Sequence, residues 1–289
     1  MNVEKLLSWP FRDIRHRYSR NDAILYALSI GIGQNPVEPE QLNYVYEKNL
    51  RPFATMPIVM GMVDDVGFLS DAEVGIDLPR MLHGQTGLRL HRPLPPEGEV
   101  ISRLAIDQLL DRGPGKGALL CFSRTIREAS SGDLAAEETG VFYLMGNGGF
   151  GGSNERLPPA AAIPERPCDL SDQLTTLPQA GLLYRLTGDR NPLHVDPAVA
   201  SQAGFSRPIL HGSCTYGVAG HLLVRLLCQY DSARLRRLDA KFKAPVYPGE
   251  TLRVDVWLLG VGLAAFRVVA QERDLVVVDN GVCEFEEHS

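Results

Sequence analysis

The sequence lacks the features that send a chain into or across a membrane. No stretch of its 289 residues approaches the roughly 18 uninterrupted apolar positions of a membrane span. The opening residues, MNVEKLLSWPFRDIRHRY, scatter charge where a secretory signal keeps an apolar core, so no such signal is expected. Cysteine is sparse and unpaired in pattern: Cys121, Cys168, Cys214, Cys228 and Cys283 are odd in number and widely spaced, with no Cys-x-x-Cys pair and no His-x-x-x-His ligand pattern. Reduced thiols and no metal site are expected. Basic residues are outnumbered, and a formal net charge of -6 argues against a general nucleic-acid or membrane-surface binder, since neither polyanion attracts such a chain at long range. The last residues, EFEEHS, do not match a Ser-Lys-Leu type peroxisomal address. The expected setting is cytoplasmic.

What is present is apolar material for a real core, at 44% of the residues. The run GNGGFGGSNERLPPAAAIPERP (146–167) has many Gly, Pro and Ala residues and little periodic spacing, and reads as a linker. It leaves an N-terminal unit, 1–145, and a C-terminal unit, 168–289. The two look like distant copies. His91–Ile126 and Lys243–Ala270 both run through an apolar-Pro pair, a Pro-Gly-Glu-like turn, a strand, a Gly-containing turn and a second strand, and each has a His-Gly dipeptide upstream, His83-Gly84 and His211-Gly212. In TLRVDVWL, Leu252, Val254, Val256 and Leu258 alternate onto one face. Residues 212–230 carry Val218, Leu222 and Leu226 at helical spacing and predict the main helix. RNDAILYALSIGIG is a shorter helix candidate in the first half. Helices followed by antiparallel strands make the fold class α+β.

Two motifs compete for attention. Gly146-Asn147-Gly148-Gly149-Phe150-Gly151 satisfies G-x-G-x-x-G, but SNERLPP follows it where a dinucleotide site needs a helix whose amides face the pyrophosphate. It reads as a flexible turn. The stretch YRLTGDRNPLHVDP (184–197) is more telling. Asn191-Pro192 enforces an extended or turn conformation, so Asp189 and His194 do not share a helix face. Asp196-Pro197 reads as a cap and first turn of a short helix ending at Gly204. An isolated loop of turn-forming residues would ordinarily be unremarkable. The balance shifts with GFSRPILHG, which ends where the long helix begins and leaves the Gly212 N–H free to face an anionic oxygen. Acid, imidazole and amide donor within one segment suit proton transfer beside a polarised carbonyl.

The run YRLTGDRNPLHVDPAVASQAGFSRPILHG resembles the hydratase 2 motif of the MaoC-like (R)-specific enoyl-CoA hydratases. LHGQTGLRLHRPLPPEGEV, GNGGFGG and FKAPVYPGETL extend the resemblance to the two-domain hydratase 2 unit of peroxisomal multifunctional enzyme type 2. It implies a double hot-dog fold, two copies of a long helix wrapped by an antiparallel sheet, with only the C-terminal copy catalytic and the first giving room for a bulky acyl chain. It implies hydration of a trans-2-enoyl-CoA to a (3R)-hydroxyacyl-CoA without cofactor, in a homodimer. His194 is implied to activate water, Asp189 to protonate the α-carbon or the two in swapped roles, Asn191 to orient the water or Asp189, and Gly212 to hold the enolate-like oxygen. His83, Gly84, Arg112 and Phe242 are implied to contact the CoA thioester, with Arg112 standing where related sequences often carry Lys. RLRRLDAKFK (234–243) is either a local cation patch for the phosphates or a solvated charged face. His16, His91, His221 and His288 receive no role. Two other readings stand beside the first: an enzyme acting on a branched, dicarboxyl or carrier-protein-bound acyl thioester, and a non-catalytic acyl-CoA-binding module.

Overall fold

A computed structural model describes residues 1–61, 67–153, 155, 157 and 161–287. His288, and part of the stretch that follows the glycine-rich turn, lie outside the described residues. Among the described residues, ten strands form one sheet: β1 Ile14–Tyr18, β2 Met81–Leu90, β3 Gly98–Asp111, β4 Ala118–Glu128, β5 Leu134–Leu144, β6 Leu170–Thr175, β7 Leu235–Phe242, β8 Thr251–Gly260, β9 Leu263–Ala270 and β10 Leu275–Phe285. Their order is β1-β3-β4-β5-β2-β7-β10-β9-β8-β6. Counted outward from the middle, each half runs through the same succession of strands. The seam is a direct antiparallel pairing, Gln85 to Arg89 of β2 against Lys241 to Arg237 of β7. The copies that the Pro-Gly-Glu turns suggested are thus related by an approximate twofold axis at the seam.

Alternation explains the strands. Leu252, Val254 and Val256 of β8 are fully buried while Arg253 and Asp255 pair with each other on the other face. A glycine beneath an aromatic ring recurs in both halves: Gly140 lies opposite Phe122 and Gly281 opposite Phe266, and neither has room for a Cβ. Two registers further along, the halves differ. The second half sets Val268 against Val278, whereas the first sets Arg124 against Glu138, both fully buried. Arg124 also donates to the carbonyls of Pro57, Ile58 and Met60 and to the Ser102 hydroxyl, pinning the 57–60 turn onto the sheet.

Among the described residues the helices are α1 Val3–Leu7, α2 Arg20–Ser29, α3 Leu42–Val45, α4 Gly67–Ser70, α5 Ala180–Tyr184, α6 Pro197–Gln202 and α7 Gly212–Cys228. The long α7 packs along β6, β7, β8 and β10 and ends at Gln229, whose left-handed φ of 51° stops it. Helix α2 forms where expected, on a capping box in which the Asp22 carboxylate accepts the Ser19 N–H at 2.7 Å. It is not the first-half counterpart of α7, however. It follows β1 as α5 follows β6; the position before β2 holds a 3-10 turn, Met56–Val59, and α4, with residues 62–66 outside the described residues.

The glycine-rich run behaves as the flexible-turn reading expects. The amides of Gly149, Gly113 and Gly151 all donate to the Asp111 carboxylate at 2.7–2.8 Å, holding it below the usual carboxylate range. A phosphate would find those amides spent on the chain's own anion. No helix starts there among the described residues.

Candidate active site

The segment after α5 is built by its own turn chemistry. A 3-10 turn, Arg185–Thr187, ends at Gly188, whose φ of 138° belongs to glycine. The Asp189 carboxylate then accepts the Asn191 N–H at 3.1 Å, and the Asn191 side chain accepts the Leu193 N–H at 3.0 Å, capping the turn Pro192–His194. Asp196 caps α6 through the Ala198 N–H at 2.8 Å. Asn191 therefore holds Asp189 through its backbone, and its side-chain oxygen builds the loop.

His194 turns inward. Its Nδ1 lies 2.9 Å from the Ile209 carbonyl; donation from Nδ1–H leaves the Nε2 lone pair available. Burial pushes its pKa below the usual value, against the raising effects of the Ile209 hydrogen bond and nearby Asp189. The His211 ring stacks on it with centroids 3.8 Å apart and planes 29° apart. His211 Nε2 meets the Asp189 carbonyl at 3.1 Å, tying the loop to the start of α7. Burial first, then His194, pushes His211 down to about 4, so it stays neutral. Tyr184 also packs against His211, ring centroids 5.0 Å apart.

Asp189, His194 and His211 present donor atoms that all lie within 4.8 Å of one another. By composition such a set could hold a divalent cation. The stacking does not suit one: nearly parallel rings send their in-plane lone pairs side by side, whereas two histidines on one ion must converge on it.

Gly212 opens α7, and the amides of a helix's first turn have no partner within it. A Cβ at this position would meet the Phe242 ring at an ordinary 3.5 Å, so glycine supplies open approach and not relief from a clash. The same Phe242 ring lies 5.2 Å from that of His83, which also packs on Phe142 at 5.3 Å. His83 is pushed down to about 4, mainly by burial, and its Nε2 has no hydrogen-bond partner among the described residues. Asp189 is close enough to act electrostatically on both His83 and His194. The structure therefore brings Asp189, His194, Gly212, Phe242 and His83 together, drawing His83 from the other half of the sheet.

The remaining expected positions fall around this centre. Gly84 sits in a bulge between His83 and Gln85, where a Cβ would come within 2.5 Å of the Tyr143 ring. Arg112 is exposed, just beyond β3 at the same end of the sheet as His83; three strand spacings put it roughly 14 Å away, at a rim and not at the centre. In RLRRLDAKFK the arginines are engaged: Arg234 and Arg236 with Glu286, Arg237 with Asp239 and Glu284. Those three are half-buried and engaged within the protein, with the Arg234 Nη1 buried and without a partner among the described residues.

Two sequence inferences need correction. The His-Gly dipeptides are not equivalent, because His83-Gly84 lies within a strand and His211-Gly212 at a helix start. His83 reaches the site through Phe242 instead. The pattern also passed over His211 itself, Tyr184 and Arg185, whose buried Nε has no partner among the described residues and whose charge lowers the His211 pKa. The only signal for His211 was its place directly before the long helix.

Residues 16–146 match the family model described as the MFE-2 hydratase 2 N-terminal domain, and residues 159–280 match the MaoC like domain. The chain is 37% identical to 3-hydroxyacyl-thioester dehydratase Y of Mycobacterium tuberculosis, covering 93% of each sequence. It is 34% identical to the peroxisomal enoyl-CoA hydratase 2 of Arabidopsis thaliana, covering 96% of this chain and 93% of that one. The solved structure of a MaoC-like dehydratase from Phytophthora capsici superposes with a TM-score of 0.87 at 30% identity, with full coverage of both chains. A Mycobacterium tuberculosis protein described as having a double hotdog fold superposes at 0.61 over 96% of this chain and 96% of its own, at 17% identity, and supports the same fold here.

Proposed function

The chain belongs to the MaoC-like hydratase 2 family in its two-copy, double hot-dog form, and from that premise we propose how its own residues hydrate a trans-2-enoyl-CoA. The thioester carbonyl oxygen accepts the Gly212 N–H. The neutral His194 takes a proton from water through Nε2 as the water oxygen bonds to C3, and the electron pair moves through the enone onto the thioester oxygen. The proton that His194 took from water passes to the Asp189 carboxylate and from there to C2 as the enolate collapses. The water thus supplies both the hydroxyl at C3 and the hydrogen at C2, and the pair ends the cycle as it began. Both groups act from one face, which gives syn addition; the (3R) product follows when that face is the one of C3 that the family's hydratases present to water. The chemistry is proton transfer throughout and calls for no cofactor.

One observation carries this reading: His211, the residue directly before Gly212, stacks on His194 and is bonded to the Asp189 carbonyl, which ties both groups to the start of α7. The test is loss of the conjugated thioester absorbance when crotonyl-CoA and longer trans-2-enoyl-CoAs are mixed with the protein, with the product's configuration determined. Asp189→Asn and His194→Gln should each lower kcat by about 10²- to 10⁴-fold with CoA affinity nearly unchanged. A (3S) product, or unaffected rates, would refute the site.

The name of the Mycobacterium relative supports the reverse direction, dehydration of a 3-hydroxyacyl thioester, at the same groups. Arg112 and Phe242 fit as outer and inner contacts of the thioester arm, with His83 and Gly84 shaping the wall behind it. We further propose a cytoplasmic homodimer. No described helix is long and apolar enough to cross a membrane. Exposed Leu28, Leu42, Leu182 and Leu186 on α2, α3, α5 and the turn after α5 offer an apolar face for self-association, which light scattering would test.

A further inference from the structure

The approximate twofold axis assigns each catalytic residue a counterpart in the first half. Pairing the strands and the shared sequence runs sets Tyr26 against Tyr184, Asn35-Pro36 against Asn191-Pro192, and Arg51-Pro52 against Arg207-Pro208. The same correspondence puts Glu38 at the place of His194, Thr55 at His211, Met56 at Gly212, Leu90 at Phe242 and Leu235 at His83. Geometry supports it. The Tyr26 hydroxyl bonds the Thr55 hydroxyl at 2.8 Å where Tyr184 packs on His211, and Met56 opens a 3-10 turn where Gly212 opens α7. The acid–imidazole pair is gone from this mirror position: Glu38, half-buried, has its carboxyl turned toward Glu40.

The space has not closed. A cavity of about 140 Å³ remains, walled by Leu50, Phe53, Leu90, Leu94 and Leu235. At about 30 Å³ for a water-sized group it holds a chain of roughly five methylenes. Arg51, Arg92 and Arg236 stand at its rim. Arg236 is committed to Glu286 and the Ala233 carbonyl. Arg51 makes only a loose 3.5 Å approach to Asp231, and Arg92 engages Asp133 and Glu128 through Nη1 alone, so both keep N–H groups to offer. His83 and Leu90 are seven residues apart on β2, which sets this cavity roughly 23 Å from the catalytic centre. One medium-length chain cannot fill both.

We propose that this cavity is a second, non-catalytic binding site for a straight aliphatic chain with an anionic head, a medium-chain fatty carboxylate or its CoA thioester. The chain lies on Phe53, Leu90 and Leu235, and the head meets Arg51 and Arg92. The choice of an acyl occupant rests on the enoyl-CoA reading of the catalytic copy; the cavity and its position do not.

Calorimetric titration of the full chain with octanoate and with octanoyl-CoA, each in excess butyryl-CoA to occupy the catalytic centre, tests this. One site is expected for at least one of the two ligands, and which of them binds identifies the head group. Affinity should rise about fourfold per added methylene up to about hexanoate and level off beyond it, as the cavity fills and further methylenes lie toward the arginine rim. Ala233→Trp, which fills the cavity mouth, should abolish that site while leaving kcat and KM for crotonyl-CoA unchanged. Diffraction from wild-type crystals soaked in 8-bromooctanoate gives a readout that needs no variant, with bromine expected beside Phe53 and Leu235. Bromine elsewhere, no second site for either ligand, or binding unchanged in a folded Ala233→Trp protein overturns the proposal. Failure of the hydration assay with the bromine in place would instead strike only the catalytic reading.

Discussion

At the scale of single residues, Gly212 offers an unusually clean test. It is the first residue of α7, where proline is tolerated because its missing N–H has no helical partner. His211 before it already has φ -55° and ψ 137°, the conformation proline demands of its predecessor. Gly212→Pro should therefore leave the helix intact, remove one amide and lower kcat by about 10²- to 10³-fold, since such a donor is worth about 3 kcal/mol in the transition state. Circular dichroism alongside the rate assay checks both halves of that statement. His194 makes a second prediction. Its pKa is lowered, so its neutral, base-competent form persists below the usual 6.5, and the acid limb of kcat/KM should fall below that value. A limb above 6.5 would mean another group is titrating. That Asp189 and His194 would come to lie beside the start of α7 was legible in the sequence, because they sit with Gly212 on one short segment flanked by prolines and a helix start. The stack of His211 on His194 was not, because ring packing is decided by how the loop folds over α7, and nothing in residue spacing reports it.

At the scale of elements, the bulge in β2 fixes where His83 points. Gly84→Ala would force a methyl into the Tyr143 ring, and such overpacking costs about 1–3 kcal/mol; the midpoint of urea unfolding should drop accordingly. The Arg124–Glu138 pair makes a larger prediction. Arg124→Met would strand a buried carboxylate and three carbonyls of the 57–60 turn, for a loss of about 3–5 kcal/mol. Adding Glu138→Val, which restores the pairing type found at Val268–Val278, should recover much of it. Periodicity sufficed for α7 and β8, where one face is buried along the whole element. It misjudged the role of α2, because a helical pattern states that a segment is helical and not which strands it accompanies.

The whole molecule keeps several imidazoles out of water. His211 and His221 are buried and His83 is half-buried with its ring turned inward, and each is pushed down to about 4, by desolvation first in every case. A depressed pKa means that stability is fully present above the unfolded value of about 6.5 and is lost as pH falls toward 4. Each proton taken up on unfolding steepens that loss by about 1.4 kcal/mol per pH unit. The melting temperature should thus be flat from pH 8 to 7 and drop increasingly between 6.5 and 4.5, and a flat profile there would show these rings to be protonated in the fold. The twofold sheet order was legible only in part. The Pro-Gly-Glu turns disclosed two copies, but the edge at which they join depends on pairing between β2 and β7, strands far apart in the chain.

That seam has a kinetic consequence. Because the halves share an unbroken hydrogen-bonded ladder, they cannot rock apart like jaws, even though the candidate site draws on His83 from one and His194 from the other. Entry and escape of the acyl group must then be timed by the 189–211 loop, the part of the centre outside the sheet. Turnover in this enzyme should answer to the stiffness of that strap, and hardly at all to solvent viscosity acting on the bulk of the protein.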